Sequence, residues 1–177
     1  GNVLSQEEPQ LAPFNASAVI QSAPPWIVNV YNVTDDYSST PVDQVLPTEG
    51  GLSNLHIVFR AEDLNSNLNL PSGANIPIGA GAGQIFPLLE KIAGVKPALQ
   101  VIGIPGNTIC NEITGTGPNG ACGSLCDGNQ RLYTCTMSVM QFFYEPSTTA
   151  KWNVTLAITD TSGSTSELNR TKNFTYI

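Results

Sequence analysis

The sequence predicts an all-β fold, an antiparallel sandwich with one short helix and an N-terminal extension strand. Apolar and polar residues alternate over short runs such as Asn54–Arg60 and Trp152–Ile158, so that every second side chain would face a core. Turns rich in Gly and Pro separate these runs. Charged residues make up only 12% of the 177 residues, and Asn, Ser and Thr take their place. That composition is more typical of an extracellular β protein than of a cytoplasmic helical enzyme.

The chain is long enough for one domain with a core and too short for two full ones. We expect residues 1–22 to form an N-terminal arm and residues 23–177 to form a single sandwich domain. Residues 11–21 of the arm alternate as a strand, and Pro24–Pro25 follows as a stiff hinge. The strand places four side chains on one face: Phe14, Ala16, Ala18 and Ile20.

Within the sandwich, alternation predicts strands at Trp26–Val33, Asn54–Arg60, Ala98–Ile102, Arg131–Tyr144, Trp152–Ile158 and Asn173–Ile177. Strict alternation in the first of them would put Trp26, Val28 and Val30 on one face. The one predicted helix is residues 86–94. Pro87 suits its first turn, Gly94 suits its end, and the apolar stripe between them is Leu88, Leu89 and Ile92.

The charge balance excludes several classes of partner. Seven Lys and Arg against fourteen Asp and Glu give a net charge of -7, and the basic residues are not clustered. Nucleic acids and anionic lipids both need a basic surface, so neither is expected to bind. No apolar run approaches the roughly 20 residues of a membrane span, so direct membrane insertion is not expected. The chain begins at Gly1 without Met, which a removed secretion leader or a shortened chain would explain.

The four cysteines lie in one window, at Cys110, Cys122, Cys126 and Cys135. An even, clustered set in a chain of this composition predicts two disulfides. A zinc site is the alternative, but only Cys122 and Cys126 have the spacing of paired ligands. Three connectivities are open. We favour Cys110–Cys122 with Cys126–Cys135, because the second bond would close a short hairpin.

Five Asn-x-Ser/Thr sequons are candidates for N-glycosylation: Asn15, Asn32, Asn153, Asn169 and Asn173. Each is weak alone in a sequence rich in Asn, Ser and Thr, and unmodified strand and turn residues are the alternative. Together with the cysteines, they favour an extracellular, cell-surface location with covalent glycans.

The sequence contains no catalytic constellation, and we expect the protein not to be an enzyme. The single histidine, His56, lies in the middle of a predicted strand, and no G-x-S-x-G motif accompanies it. The adjacent carboxylates at Asp35–Asp36 and Glu62–Asp63 would point to opposite sides of a strand. The glycines between Gly79 and Gly83 lack the third Gly of a dinucleotide fingerprint.

The polar run Asp63–Asn69 predicts the one candidate cofactor, calcium. Asp63, Asn65 and Asn67 offer oxygen ligands at alternate positions, as tight Ca²⁺ loops do. The run lacks the Gly and Glu of an EF-hand, since Leu68 and Ala74 occupy those positions. An Asx-turn without metal is the alternative interpretation.

Several segments resemble the immunoglobulin-like surface domains of secreted archaeal proteins. The likeness lies in residues 23–30, 46–51, 133–136 and 152–163, which read APPWIVNV, LPTEGG, YTCT and WNVTLAITDTSG. It covers both ends of the domain and leaves residues 70–125 unmatched. The resemblance implies a sandwich module of the kind found in S-layer, adhesin or pilus-type proteins, and fold alone does not decide among them.

The arm favours a filament, similar to the donor-strand pili of bacteria and archaea. A strand on a proline hinge could insert into a neighbouring subunit, and a head-to-tail contact that does not close builds a polymer of identical chains. The same residues could instead fold back as the first strand of their own sandwich. The alternative function is a monomeric adhesion or glycan-binding module, or an S-layer tile. A glycan groove would need exposed aromatic rings, for which the candidates are Tyr31, Tyr37, Tyr133 and Tyr144.

Overall fold

The computed structural model describes residues 23–48, 50–93, 100–114, 128–140, 151–166 and 170–177. These residues form nine strands: β1 (Trp26–Thr34), β2 (Gln44–Val45), β3 (Leu52–Glu62), β4 (Ile85–Ala93), β5 (Gln100–Ile102), β6 (Thr108–Glu112), β7 (Gln130–Met140), β8 (Lys151–Ile158) and β9 (Arg170–Tyr176). A single 3-10 turn covers Asn67–Asn69. The predicted all-β sandwich is confirmed. The N-terminal arm lies outside the described residues.

The strands form two sheets. The first has four strands in the order β1-β3-β7-β6, all antiparallel, and the second has five in the order β2-β9-β8-β4-β5. In the second sheet only the short β2–β9 pair is parallel. The inner faces of both sheets share one apolar core, whose largest buried side chains are Trp152, Tyr133, Phe59 and Phe174. This is the packing of an antiparallel sandwich.

Alternation identified the inward faces of β3 and β8 correctly. Leu55, Ile57 and Phe59 are fully buried along β3. In β8 the predicted inward side chains Trp152, Val154, Leu156 and Ile158 are 0–1% exposed, and Thr155 and Ala157 on the other face are 7% exposed. Both strands have a partner on each side, so their backbones stay regular and their side chains keep a period of two.

Strict alternation in β1 was wrong. The register against β3 shifts between Ile27 and Asn29 and again between Val30 and Asn32. Each shift inserts an extra residue and exchanges the two faces, so Ile27, Val30 and Val33 all point into the core. Bulges of this kind also make an edge strand a poor template for further pairing.

The helix predicted at residues 86–94 was wrong, because Ile85–Ala93 is strand β4. A nine-residue helix is marginal in water, whereas β4 gains ladder bonds from β8 on one side and from β5 on the other. Pro87 is tolerated because it lies where the β4–β5 pairing ends, at Leu88 opposite Ile102. Its carbonyl still accepts a hydrogen bond from the Gly103 N–H at 2.8 Å.

The predicted disulfide connectivity was also wrong. Cys110 of β6 lies opposite Cys135 of β7, and the two form a disulfide with their Cα atoms 4.1 Å apart. The Cys110 carbonyl bonds to the Ile76 N–H on the other side of β6, so the cysteines face each other as a closely spaced, non-hydrogen-bonded pair. Cys122 and Cys126 lie outside the described residues. The Cys110–Cys135 bond excludes both pairings that the sequence favoured.

Replacing Gly103 with alanine is expected to destabilise the fold by about 1–3 kcal/mol, because the new Cβ has no room. It would lie 2.6 Å from Cγ and 2.9 Å from the carbonyl oxygen of Pro87. The free energy of unfolding in denaturant measures the loss. Gly106→Ala is the control, since its Cβ meets nothing within 4 Å. Equal stability of the two variants would contradict the close approach of Gly103 to β4.

Removing the disulfide in the C110A/C135A variant is expected to lower the free energy of unfolding by about 3 kcal/mol, from the entropy of an open loop in the unfolded chain. The two cysteines are 25 residues apart. Mass spectrometry of a non-reduced digest should recover one peptide pair that joins Cys110 to Cys135, and C122A/C126A should keep it. A Cys110–Cys122 peptide would contradict the structure.

Candidate functional site

An apolar groove opens on the side of the sandwich where β5 is the edge of the second sheet. It has a volume of about 380 Å³ and lies between β5 and the ends of β3 and β7. Val101 and Val139 form its buried floor, and Leu52 and Ile102 form a rim that is 51% and 47% exposed. We call these four residues, with Asn107 and Ser138 beside them, the β5 groove. Large apolar side chains that converge at half exposure are typical of a surface with a partner.

The backbone of β5 faces this groove with hydrogen-bonding groups. The Gly103 N–H bonds to the Pro87 carbonyl of β4. Because backbone groups alternate in direction along a strand, the N–H and C=O of Val101 point toward β4, and those of Gln100 and Ile102 point away from it. The Ile102 carbonyl accepts a bond from the Asn107 side chain at 3.1 Å. The remaining outward groups of Gln100 and Ile102 form an edge that an added strand could extend.

The other edge strands are protected by the chain itself. Along β6, the Cys110 carbonyl accepts from Ile76 and the Glu112 N–H donates to Gly73, both at 2.8 Å. In β1 the two bulges interrupt the edge, and Val33 exchanges bonds with Asp43. Strand β2 has two residues only. Among the described edges, β5 therefore combines a regular edge with an apolar groove.

The structure describes three of the five sequon residues, and Asn15 and Asn169 lie outside the described part. Asn32 is half-buried in β1, and Asn173 is exposed in β9. Asn153 of β8 lies directly opposite Asn173, and its side-chain oxygen is buried without a hydrogen-bond partner among the described residues. Directly opposed side chains have Cβ atoms about 5 Å apart, so the outer face there offers room for one glycan rather than two. Glycosylation itself stays a prediction.

The candidate calcium residues differ in burial and in their hydrogen bonds. Asp63 is fully buried, and its Oδ1 accepts from the backbone N–H of Asn65 at 2.9 Å. Asn65 is exposed, and Asn67 contributes its backbone carbonyl to Arg131 at 2.8 Å. The Ser66 hydroxyl accepts from the Leu68 N–H, so the run has the hydrogen bonds of the Asx-turn alternative. Within the described ranges, no group of three or more His, Cys, Asp or Glu side chains is placed to hold a metal ion.

The carboxylates that are adjacent in sequence, at Asp35–Asp36 and Glu62–Asp63, do not share hydrogen-bond partners among the described residues. Asp35 holds the β1–β2 loop by accepting from the Tyr37 and Leu46 N–H groups, each at 2.8 Å. Glu62 accepts from Trp26 at 2.8 Å and from Gln130 at 2.6 Å, on the outer face of the first sheet. Each carboxylate therefore has its own structural partners, as adjacent residues on an extended chain should.

Sequence reasoning missed a polar cluster around His56. Its Nε2 lies 2.5 Å from the Asp36 carboxylate, and its Nδ1 lies 2.9 Å from the Thr136 hydroxyl. Asn54 also donates to Asp36, at 2.9 Å. Asp36 and Thr136 are 20 and 80 positions from His56, so no local motif could reveal them. The cluster resembles an acid–histidine–hydroxyl relay, but it lies on the outer face of a sheet. It lines neither the β5 groove nor the cavity between Asn75–Ile78 and Thr108–Ile109. Its geometry ties the β1–β2 loop to β3.

The described aromatic candidates for a glycan groove differ in burial. Tyr133 is fully buried against Phe59 with ring centroids 5.3 Å apart, and its hydroxyl donates to the Pro71 carbonyl at 2.6 Å. Burial raises the pKa of Tyr133 well above its usual value. Tyr31 is half-buried under the Arg60 guanidinium, Tyr37 is exposed, and Tyr144 lies outside the described residues. Tyr133 was therefore wrong as a candidate for glycan contact.

Comparisons with protein-family models, curated proteins and solved structures found no match to the chain. In the described ranges, no helix has the length and apolar character needed to cross a membrane.

Removing the Asp36 carboxylate is expected to weaken the fold at neutral pH only. The hydrogen bond from His56 lowers the pKa of Asp36, so its contribution is present above the unfolded pKa near 3.8 and is lost as the pH falls through the folded value. Because both side chains are partly exposed, we expect Asp36→Asn to cost less than about 1 kcal/mol at pH 7. The difference from wild type in denaturant unfolding should vanish near about pH 2. A difference that grows in acid would contradict this assignment.

Proposed function

We propose that the protein is a structural subunit of an extracellular surface filament. In this filament, residues 11–21 of one subunit insert as a strand into the β5 groove of the next. The observation that carries the proposal is the groove itself, a cleft with an apolar rim and floor beside a sheet edge that pairs with no further strand among the described residues. The chain supplies a matching segment, because every second residue from Phe14 to Ile20 is apolar or small.

Strand addition would use both features of the groove. The backbone of the donor would extend the second sheet along the outward groups of Gln100 and Ile102, and main-chain hydrogen bonds of this kind supply affinity. The alternate side chains of the donor would enter the cleft over Val101 and Val139, which supplies specificity and removes apolar area from water. Only a strand with a period of two can do both at once.

The geometry of the contact favours a polymer. A donor arm and an acceptor groove are different surfaces of one chain, so the contact between subunits is heterologous. Such a contact leaves one free arm and one free groove at the ends of any assembly that does not close into a ring. Repetition then builds a filament from identical subunits.

The disulfide supports an extracellular location. Disulfides persist in oxidising compartments and are rare in the cytosol of mesophiles. Cys110 and Cys135 are both fully buried between the sheets, where the bond locks β6 onto β7. The low content of charged residues agrees with the same compartment.

Negative-stain electron microscopy tests the proposal. The intact chain should form filaments, and a chain without residues 1–22 should not. Leu52→Asp or Ile102→Asp should abolish filaments, because a carboxylate in the groove cannot be buried against an apolar donor strand. Leu68→Asp is the matched control, since Leu68 is 76% exposed in the 3-10 turn that follows the other end of β3 and should tolerate the change.

A synthetic peptide of residues 11–21 gives a second readout. It should bind the chain that lacks residues 1–22 and raise its unfolding temperature, whereas the peptide with Ile20→Asp should not. If the shortened chain is unfolded while the intact chain is monodisperse, the arm belongs to its own domain. That result, or filaments from the groove variants, would overturn the proposal.

A further inference from the structure

Two buried carboxylates meet at the end of the sandwich opposite the β5 groove. Asp63 directly follows β3 of the first sheet, and Asp160 follows β8 of the second. Their side chains are 0% and 2% exposed. The loops that carry them are joined by a hydrogen bond from the Thr161 N–H to the Asn69 carbonyl at 2.8 Å. This is a junction between the two sheets.

Each carboxylate has one oxygen already engaged by its own loop. Oδ1 of Asp160 accepts hydrogen bonds from the Ser162 N–H at 3.0 Å, from the Ser162 hydroxyl at 2.8 Å and from the Ser164 N–H at 2.8 Å. Oδ1 of Asp63 accepts from the Asn65 N–H at 2.9 Å. The Oδ1 atom of each acid is therefore satisfied by hydrogen bonds from its own loop.

The second oxygen of Asp63 has no such partner. Its Oδ2 is buried and makes no hydrogen bond to any described residue, although the side chain contacts Asp160. Burial raises the pKa of Asp63, and the charge of Asp160 raises it further, against the bonds from the Asn65 and Ser66 backbone N–H groups. A buried carboxylate oxygen without a hydrogen-bond partner, beside a second carboxylate, is costly unless a positive partner compensates its charge.

The basic side chains of the described residues do not provide that partner. Their ion pairs join Arg131 to Glu112 at 2.7 Å and Lys172 to Asp43 at 3.1 Å. No described Lys or Arg forms an ion pair with either buried acid. Among the described residues, no basic side chain fills this position, which leaves a cation from solution as the candidate partner.

We propose that Asp63 and Asp160 bind one Ca²⁺ ion that links the β3–β4 connection to the β8–β9 connection. Two carboxylates are hard oxygen ligands, and Ca²⁺ completes its shell with backbone carbonyls and water in flexible geometries. Mg²⁺ fits less well, because it keeps several waters and the two acids are almost fully buried. The site keeps Asp63 from the sequence-predicted set and replaces Asn65 and Asn67 with Asp160. It does not depend on filament formation.

Thermal unfolding of the full chain at pH 7, in EDTA and with increasing Ca²⁺, tests the proposal. At 100-fold excess over its dissociation constant, Ca²⁺ should raise the unfolding temperature by about 5–10 °C. Asp63→Asn and Asp160→Asn should each abolish the rise. Glu90→Gln should keep it, since it removes one negative charge from the outer face of the second sheet.

Isothermal titration calorimetry on the wild-type chain gives a readout that needs no variant to fold, and it should find one Ca²⁺ per chain. Absence of both binding and thermal stabilisation would overturn the proposal. A chain that ignores Ca²⁺ but gains stability as the pH falls from 8 to 5 would also overturn it, because a proton shared between the two carboxyl groups would then be the positive partner.

Discussion

The pairing of β3 with β7 is the interaction on which the rest of the structure depends. Eleven consecutive residue pairs, from Leu52–Met140 to Glu62–Gln130, run in unbroken antiparallel register through the centre of the first sheet. One face of this ladder buries apolar side chains against the second sheet, and the other holds His56 beside Thr136. The bulged β1 and the disulfide-bonded β6 flank the ladder on either side. Because no bulge interrupts this register, the residues at the two ends of the ladder have defined positions relative to each other.

The parts of the fold that could be predicted are those where local pattern and tertiary packing agree. In β3 and β8 a partner on each side keeps the backbone regular, so alternation in the sequence equals alternation in space. Strand β4 could not be recognised, because Pro87, Leu88 and Leu89 satisfy a helical pattern as well, and only the pairing with β8 and β5 decides between the two. Strand β2 consists of two residues that pair with β9, which is distant in the sequence, so no local pattern could predict it.

The candidate sites, too, could be predicted only where the signal lies in the local sequence. The sequence could single out Asp63 because it begins a dense polar run, but its counterpart Asp160 lies 97 positions further along the chain, after a different strand. Leu52 and Ile102 form one rim only because the second sheet ends at β5. The cysteines could be assigned to disulfides by composition, yet their pairing depends on the β6–β7 register, which places Cys110 opposite Cys135. The sequence therefore identifies single residues of these sites, whereas the fold determines which other residues lie beside them.

The proposed filament would load the β3–β7 ladder along its length. The first sheet begins at Trp26, which pairs with Glu62 at one end of β3, while the acceptor groove lies beside Leu52 at the other end. Ten residues of strand separate these points, roughly 33 Å. Tension between successive subunits would therefore pull parallel to the strands and shear all the ladder bonds together rather than peel them one at a time. A cation at the Asp63 end would brace the two sheets where the pull enters, remote from the groove where strands would exchange.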